Sequence, residues 1–329
     1  VSRPEQRALG IGLVGGGRHG SRYANHLSRD VEYGRLVALA RRDETAGRAQ
    51  AAGLGARYHA DPATLVADPE VEAVVAVVPP HLHPAIVEAA AAVGKPVLLE
   101  KPVAVSLAAG ERLREAARRG GIRVMVAQTM RYNEVVRTVR GEMGRIGPLH
   151  ALHIDFRFEP SPLPWVTDPE VAFRGNVLHT GIHSLDLVRY LSGREGERVS
   201  CEVTSAGGGA LDDNFAAVIR LEGGVLASVT GCRATQSRSG AIAVTGRDGQ
   251  IVADHVLRRA EILKGKEVER LPLPPPVPTV RDVARDFVAA VREGRPMPIP
   301  LEEGLRALAL VEGCYRSVEA GKAVPVPVP

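Results

Sequence analysis

The run Ile11-Gly12-Leu13-Val14-Gly15-Gly16-Gly17-Arg18-His19-Gly20 sets the terms for everything around it. Residues 11–14 are short, apolar and end in glycines, as a buried strand does. Gly15, Gly17 and Gly20 then stand in the order Gly-x-Gly-x-x-Gly, and a helical segment over 21–28 follows at once. In that setting the first glycine permits a tight turn and the second lets a pyrophosphate reach the backbone. The third lets helix and strand pack closely, and the helix N-terminus offers N–H groups to an anion. Glycine is common here, 35 of 329 residues, so the pattern alone says little. Its place between a strand and a helix points to dinucleotide binding rather than to a merely structural turn. Gly15, Gly17, Arg18, His19 and Gly20 are the first candidate cofactor residues.

The next strand, over 35–40, ends at Arg41-Arg42-Asp43. A unit that binds NAD places an acid here for the ribose hydroxyls, whereas an arginine suits a 2′-phosphate. Arg41 and Arg42 are therefore candidate cofactor residues, and NADP is slightly favoured over NAD. The alternative leaves both arginines solvated and lets Asp43 reach the ribose. Strand and helix signals keep alternating. A helix is expected over 44–52, a strand over 71–78, a helix over 84–93 and a strand over 97–100. A helix over 106–119 with Ser106 as N-cap and a strand over 123–128 complete the series. Such alternation predicts a mostly parallel sheet with helices on both faces, and ligands bind beyond the carboxyl ends of its strands. Pro79, His83, Glu100, Lys101 and Gln128 fall at or just after those ends, which puts Lys101 near a cofactor on topology alone.

After Gln128 the pattern changes. One helix over 134–143 precedes strand candidates at 150–158, 200–205, 214–221, 225–232 and 241–246, with a hairpin signal at Leu221-Glu222-Gly223-Gly224-Val225. Consecutive strands predict one largely antiparallel sheet. Residues 271–278 form a proline-rich connector, 280–293 and 301–320 are amphipathic closing helices, and the Val/Pro tail over 324–329 is extended. The expected division is a dinucleotide-binding domain over 1–128 and a substrate-binding and oligomerisation domain over 129–329. The closing helices of 280–320 could pack back on the first domain.

Within the second half, Asn176-Val177-Leu178-His179-Thr180-Gly181-Ile182-His183-Ser184-Leu185-Asp186 spaces two histidines and a carboxylate by four and three. On a helix those three side chains share a face. A metal site is one reading of two histidines and an acid. The glutamate that a zinc protease helix carries after its first histidine is Thr180 here, so no metal is expected.

Composition narrows the field. Net charge is +4, but no block of Lys/Arg marks an arm for nucleic acid or membrane. Aromatics make up only 4%, too few for a base-stacking platform. The three cysteines, Cys201, Cys232 and Cys314, are far apart and odd in number, which fits free thiols in a reducing compartment. With no apolar leader or spanning segment visible, a cytoplasmic protein is expected.

These residues resemble the glucose–fructose oxidoreductase/inositol dehydrogenase/rhizopine-catabolism (Gfo/Idh/MocA) family over essentially the whole chain. The resemblance rests on Gly15-x-Gly17-x-x-Gly20 and on Pro79-Pro80-His81-Leu82-His83, which is similar to the family's Pro-Asn-x-x-His turn. It rests also on Glu100-Lys101-Pro102 after a buried strand, and on Gly181-Ile182-His183-Ser184-Leu185-Asp186, similar to the family's Gly-x-His-x-x-Asp helix. It implies an α/β protein: an N-terminal Rossmann domain with a parallel sheet, then an α/β domain with an open, mostly antiparallel sheet. It also implies homodimers or homotetramers that cover the open sheet face, and reversible hydride transfer between NAD(P) and a hydroxyl carbon of a sugar or cyclitol.

By the same resemblance, Lys101 is the lysine near the nicotinamide and His183 the acid/base. The chemistry fits those types: an ammonium stabilises charge building on the substrate oxygen, and an imidazole exchanges a proton near neutral pH. Many members carry an aspartate four residues before the histidine; here that position is His179, assigned to substrate contact or proton relay. Asp186 is expected to anchor its helix. Arg131, Tyr132, Asn133, Trp165, Arg174 and Asn176 are the other candidates on the substrate side. Two alternatives remain open: an enzyme with tightly bound, recycled NAD acting on glycosides through transient oxidation, and a non-catalytic nucleotide sensor.

Overall fold

The structure is a computed structural model that describes residues 7–329. The chain begins β1 (Leu9–Val14), α1 (Gly20–Arg29), β2 (Gly34–Ala40), α2 (Glu44–Gly53), β3 (Arg57–His59), α3 (Pro62–Ala67) and β4 (Ala73–Ala76). It continues with α4 (His83–Ala92), β5 (Val97–Glu100), α5 (Leu107–Arg119), β6 (Val124–Ala127), α6 (Glu134–Glu142), β7 (Leu149–Arg157), α7 (Pro169–Ala172) and α8 (Ile182–Ser192). Seven strands follow: β8 (Gly196–Thr204), β9 (Asn214–Leu221), β10 (Leu226–Cys232), β11 (Ser239–Gly246), β12 (Gly249–Asp254), β13 (Arg259–Lys264) and β14 (Glu267–Arg270). Two helices, α9 (Thr279–Arg292) and α10 (Leu301–Ala320), and a short β15 (Val324–Pro325) close it.

Two compact units emerge. One takes the chain up to Thr129 together with Pro278–Gly304; the other takes Met130–Val277 and Leu305–Pro329. In the first, six parallel strands run in the order β3-β2-β1-β4-β5-β6. Strands β4, β5 and β6 are buried at every position, because helices cover both faces of a parallel sheet. Helix α9 packs on α1 in this unit. The segment behind α9 then lies along the outer strand, with the Val126 amide donating to the Ile299 carbonyl at 2.9 Å. That pairing protects an edge that would otherwise be open. Ser106 caps α5 as expected, accepting from the Ala109 amide.

The second unit holds a nine-stranded sheet in the order β14-β13-β12-β11-β7-β10-β9-β8-β15. Every pairing is antiparallel except β10 with β7, which run parallel. Parallel neighbours need a crossover, and residues 158–225, including α7 and α8, form it. Burial alternates strictly along β9 and β11, so each strand has one core face. Helices α6 and α8 pack on the sheet. On the strand positions between the buried ones, Val218, Leu226 and Val252 are exposed, on the surface that the sequence reading assigns to self-association.

Candidate active site

The glycine turn of the first unit is built as its chemistry demands. Gly15 has φ +100°, and a Cβ there would lie 2.1 Å from the Val77 carbonyl oxygen. A Cβ on Gly20 would lie 1.7 Å from the Gly15 carbonyl oxygen, so only glycine lets α1 approach β1 this closely. Gly17 is the opposite: a Cβ would meet nothing within 4 Å, which leaves its backbone open to a ligand. The residue before α1, His19, makes no side-chain cap bond to the helix, so the N-terminal end of α1 remains available to an anion. The pyrophosphate of a dinucleotide fits this turn.

Beyond the strand ends lie buried polar groups. The His83 Nδ1–H donates to the Val103 carbonyl at 2.9 Å, and its buried Nε2 has no partner. Burial holds the imidazole below its ordinary pKa, against the opposing pull of the Val103 and Val78 carbonyls and the charge of Glu100. His83 is therefore neutral. Gln128, 1% exposed, has neither amide atom bonded. Orphaned buried groups of this kind call for a partner that the chain itself does not supply, and a polar ring substituent such as a nicotinamide carboxamide would satisfy them. Glu100 accepts from the His19 Nε2–H at 2.8 Å, from the Tyr23 phenol at 2.7 Å and from the Lys101 amide at 3.1 Å. Burial pushes its carboxyl up, but His19, the charge of Lys101 and the Tyr23 phenol outweigh that and bring it to about 2. Glu100 is thus an ionised group that ties the glycine turn to the strand end carrying Lys101.

At the end of β2, Arg41 is fixed along its length. Its carbonyl accepts from the Tyr58 phenol at 3.1 Å, and its Nη1 donates to Gln50 Oε1 at 3.0 Å. Asp43 caps α2, accepting from the Ala46 amide at 3.0 Å. Arg18 and Arg42 are exposed, and Pro79 is half-buried.

In the second unit the histidine stretch is not one regular helix. Val177–Gly181 is a π-helical turn, and α8 begins at Ile182. The shared face expected of a regular helix is therefore broken, and the two histidines have different surroundings. His183 is half-buried. His179 is buried; its Nε2–H donates to the Ala172 carbonyl at 3.0 Å and its ring meets Trp165 edge-to-face at 5.3 Å. Ala172 is also the acceptor of a tight turn, bonded at 2.8 Å by the Arg174 amide. The residue between, Phe173, has φ 65° and ψ −41°, a strained γ-turn geometry.

The π turn is held from outside. Asp212, in the β8–β9 loop, accepts from the amides of Gly175 at 3.1 Å and Val177 at 3.0 Å and from the Tyr315 phenol at 2.9 Å. Its carbonyl takes the Asn176 amide at 2.7 Å. Burial and the Asp212 charge keep the Tyr315 phenol well above its ordinary range, hence a permanent donor. Gly181 presses on Phe215, whose ring a Cβ would meet at 2.8 Å. Interrupted helices of this kind recur at functional sites.

The remaining candidates divide. Asp186 anchors its helix as expected: Arg131 donates to both its oxygens, at 2.8 and 2.6 Å, in a buried ion pair. Arg131, expected on the substrate side, thereby spends Nε and Nη2 internally. Tyr132 is buried under the Arg137 guanidinium, and Asn133 caps α6. Arg174 stacks over Tyr315 at 4.3 Å. Asn176 donates to the Asp213 carbonyl, while its buried Oδ1 has no partner. Among the described residues no group of three or more His, Cys, Asp or Glu side chains is arranged to hold a metal ion, and no helix is long and apolar enough to cross a membrane. Sequence reasoning missed Asp212, Gln50 and Tyr315; Asp212 and Tyr315 act across long sequence gaps, Gln50 reaches Arg41 nine residues back and Ser21 on another helix, and no local pattern marks any of them.

Comparison with known proteins agrees with this geometry. A sequence model for the oxidoreductase family with NAD-binding Rossmann fold matches residues 9–128, and one for the GFO/IDH/MocA C-terminal domain matches 136–252. The chain belongs to the Gfo/Idh/MocA oxidoreductase family. It is an oxidoreductase with an NAD-binding Rossmann fold. Inositol 2-dehydrogenase 2 of Saccharopolyspora erythraea is 29% identical, over 97% of this chain and 96% of that protein. Myo-inositol 2-dehydrogenase of Thermotoga maritima is 28% identical, over 95% and 97%. The crystal structure of aldose-aldose oxidoreductase from Caulobacter crescentus, complexed with glycerol, superposes with a TM-score of 0.89 at 23% identity, covering 97% of this chain and all (100%) of that one. At that identity the likeness speaks to the fold.

Proposed function

We propose that the protein oxidises a secondary hydroxyl of a cyclitol or sugar, or reduces the matching carbonyl. The observation that carries the substrate class is the end-to-end match to proteins named inositol 2-dehydrogenase. When bound, the nicotinamide supplies or accepts the hydride. The chain's own groups do the rest. Lys101, at the end of β5, stabilises negative charge on the substrate oxygen, which favours the transition state over the neutral alcohol. His183, on α8, takes the hydroxyl proton in oxidation and returns it in reduction. His83 and Gln128 offer an imidazole and an amide to the carboxamide of the ring, in keeping with their orphaned atoms.

The finer cofactor choice falls to NADP. Arg41 stands where an NAD site needs an acid, and one oxygen of Asp43 is engaged in capping α2.

The test is a screen of inositols, polyols and aldoses with NAD+ and NADP+ on the wild type and on Lys101→Ala and His183→Ala. Each variant is expected to lose roughly a hundredfold or more in kcat while still binding cofactor. Unchanged turnover would remove the assigned roles. A clear NAD+ preference in Kd would remove the arginine argument, and cofactor retained through purification with no net turnover would favour the recycled-cofactor alternative.

A further inference from the structure

Arg41 is more than a basic residue at a strand end; its backbone, stem and one edge of its guanidinium are braced within one unit. Tyr58 holds its carbonyl. Its stem lies against two glycines: a Cβ on Gly47 would come 3.2 Å from Arg41 Cβ, and one on Gly16 would come 3.2 Å from Arg41 Cδ. The guanidinium is gripped by Gln50 Oε1 at 3.0 Å. Gln50 is itself fixed, because its Nε2–H donates to Ser21 Oγ at 3.0 Å, and that hydroxyl donates to the Gly17 carbonyl at 3.0 Å. The brace therefore runs from α2 through α1 into the glycine turn.

What distinguishes this brace is its charge. Gln50 is neutral, so it orients the guanidinium without cancelling it. Among the described residues no carboxylate forms an ion pair with Arg41. A glutamate in the same place could make the same contact and would neutralise the arginine. An arginine's planar fork has five donors, so one bond to Gln50 leaves its other edges for a phosphate. Gly16 permits the arrangement, because a Cβ there would lie 2.5 Å from Gln50 Oε1.

We propose that Gln50 is a specificity-determining residue, a neutral brace that presents the fully charged Arg41 guanidinium to the 2′-phosphate of NADP(H). The proposal rests on the reading of Arg41 as a 2′-phosphate residue, and two ligands separate the two claims. Adenosine 2′,5′-bisphosphate carries the 2′-phosphate and 5′-AMP lacks it; both are titrated calorimetrically against the full chain, without turnover.

The wild type is expected to bind the bisphosphate at least tenfold more tightly than 5′-AMP, since a charge-assisted contact contributes roughly that much. Gln50→Glu should erase about tenfold of bisphosphate affinity and leave 5′-AMP unchanged. Gln50→Ala should lose a smaller factor, about threefold, because the charge survives but its placement relaxes. Arg41→Ala should abolish the preference. Retained 5′-AMP binding certifies that each variant is folded at the glycine turn. If Arg41→Ala abolishes the preference while both Gln50 variants match the wild type, the brace is overturned and the arginine reading survives. If the wild type shows no preference, both are overturned.

Discussion

The glycine turn of the first unit and the histidine turn of the second are both helix beginnings, yet they are made differently. The first is built from backbone: Gly15, Gly17 and Gly20 matter for atoms they lack, since a Cβ on Gly15 would strike the Val77 carbonyl and one on Gly20 the Gly15 carbonyl. The second is built from side chains that reach in from afar. Asp212 lies 35 residues beyond the Val177 amide that it accepts, and Tyr315 lies 103 residues beyond Asp212. A site made by absence leaves a local pattern in the sequence. A site made by distant partners does not.

That contrast can be broken first at Gly20, where the largest effect is expected. A Cβ 1.7 Å from a backbone carbonyl cannot be relieved by a side-chain rotation. Gly20→Ala must push α1 off β1, at a cost of roughly 3 kcal/mol, the upper end for overpacking. Thermal melting should fall, and nucleotide titration should show cofactor affinity lost by about a hundredfold or more. Wild-type affinity in a stable variant would mean that the turn tolerates a side chain and that its glycine pattern was coincidental.

The next largest effect tests whether the backbone site also depends on a buried charge. Glu100 lies at about 2 against an ordinary value of 4.5. A carboxyl depressed on folding contributes stability that is complete above its unfolded pKa and is lost as pH falls through the folded one. The window is therefore from about pH 4.5 down to about pH 2, and the contribution at neutral pH is of order 3 kcal/mol. Glu100→Gln should be less stable than the wild type by about that amount at pH 7 in denaturant unfolding. The gap should close as both are taken toward pH 2. A gap that stays constant with pH would assign the loss to packing rather than to charge.

Much of the first unit could be read from the chain because its strands are apolar runs punctuated by turn residues, and Asp43, Ser106 and the glycines sit where helix starts require them. The three-residue edge strand β3 and the six-residue α3 escaped, being too short for any periodicity to build up. In the second unit β9 and α10 could be read to their ends, since β9 alternates cleanly and α10 runs long. Strand β14, Glu267–Arg270, is exposed at all four positions, so no apolar period announces it. The parallel pairing of β10 with β7 depends on the long crossover between them, which no local signal encodes. The amphipathic pattern of α9 says that one face is buried; it does not say that the partner is α1, far back in the sequence. Lys101 and His183 stand out in the sequence as residue types in a motif. The π turn under His179 was not, because Asp212 and Phe215 hold it through contacts that sequence spacing cannot express.

His179 is the residue at which the comparison can be sharpened most finely. It stands where the family resemblance leads one to expect an aspartate, and here it is a donor: its Nε2–H bonds the Ala172 carbonyl, which also closes the strained turn at Phe173. Backbone in such a region costs of order 1–3 kcal/mol and persists only where its surroundings impose it. His179→Asp would set an acceptor against an acceptor at that point. A loss of about 1–2 kcal/mol is expected, the value of one buried hydrogen bond, or a few degrees of melting temperature. Hydrogen exchange at the amides of Phe173 and Arg174 should accelerate while cofactor affinity in the other unit stays unchanged. His179→Gln, which keeps a donor, should retain more of the protection than His179→Asp. If the aspartate variant kept full protection there, His179 would not be what holds the turn, and the reason for a histidine at this position would have to be sought in its contact with substrate instead.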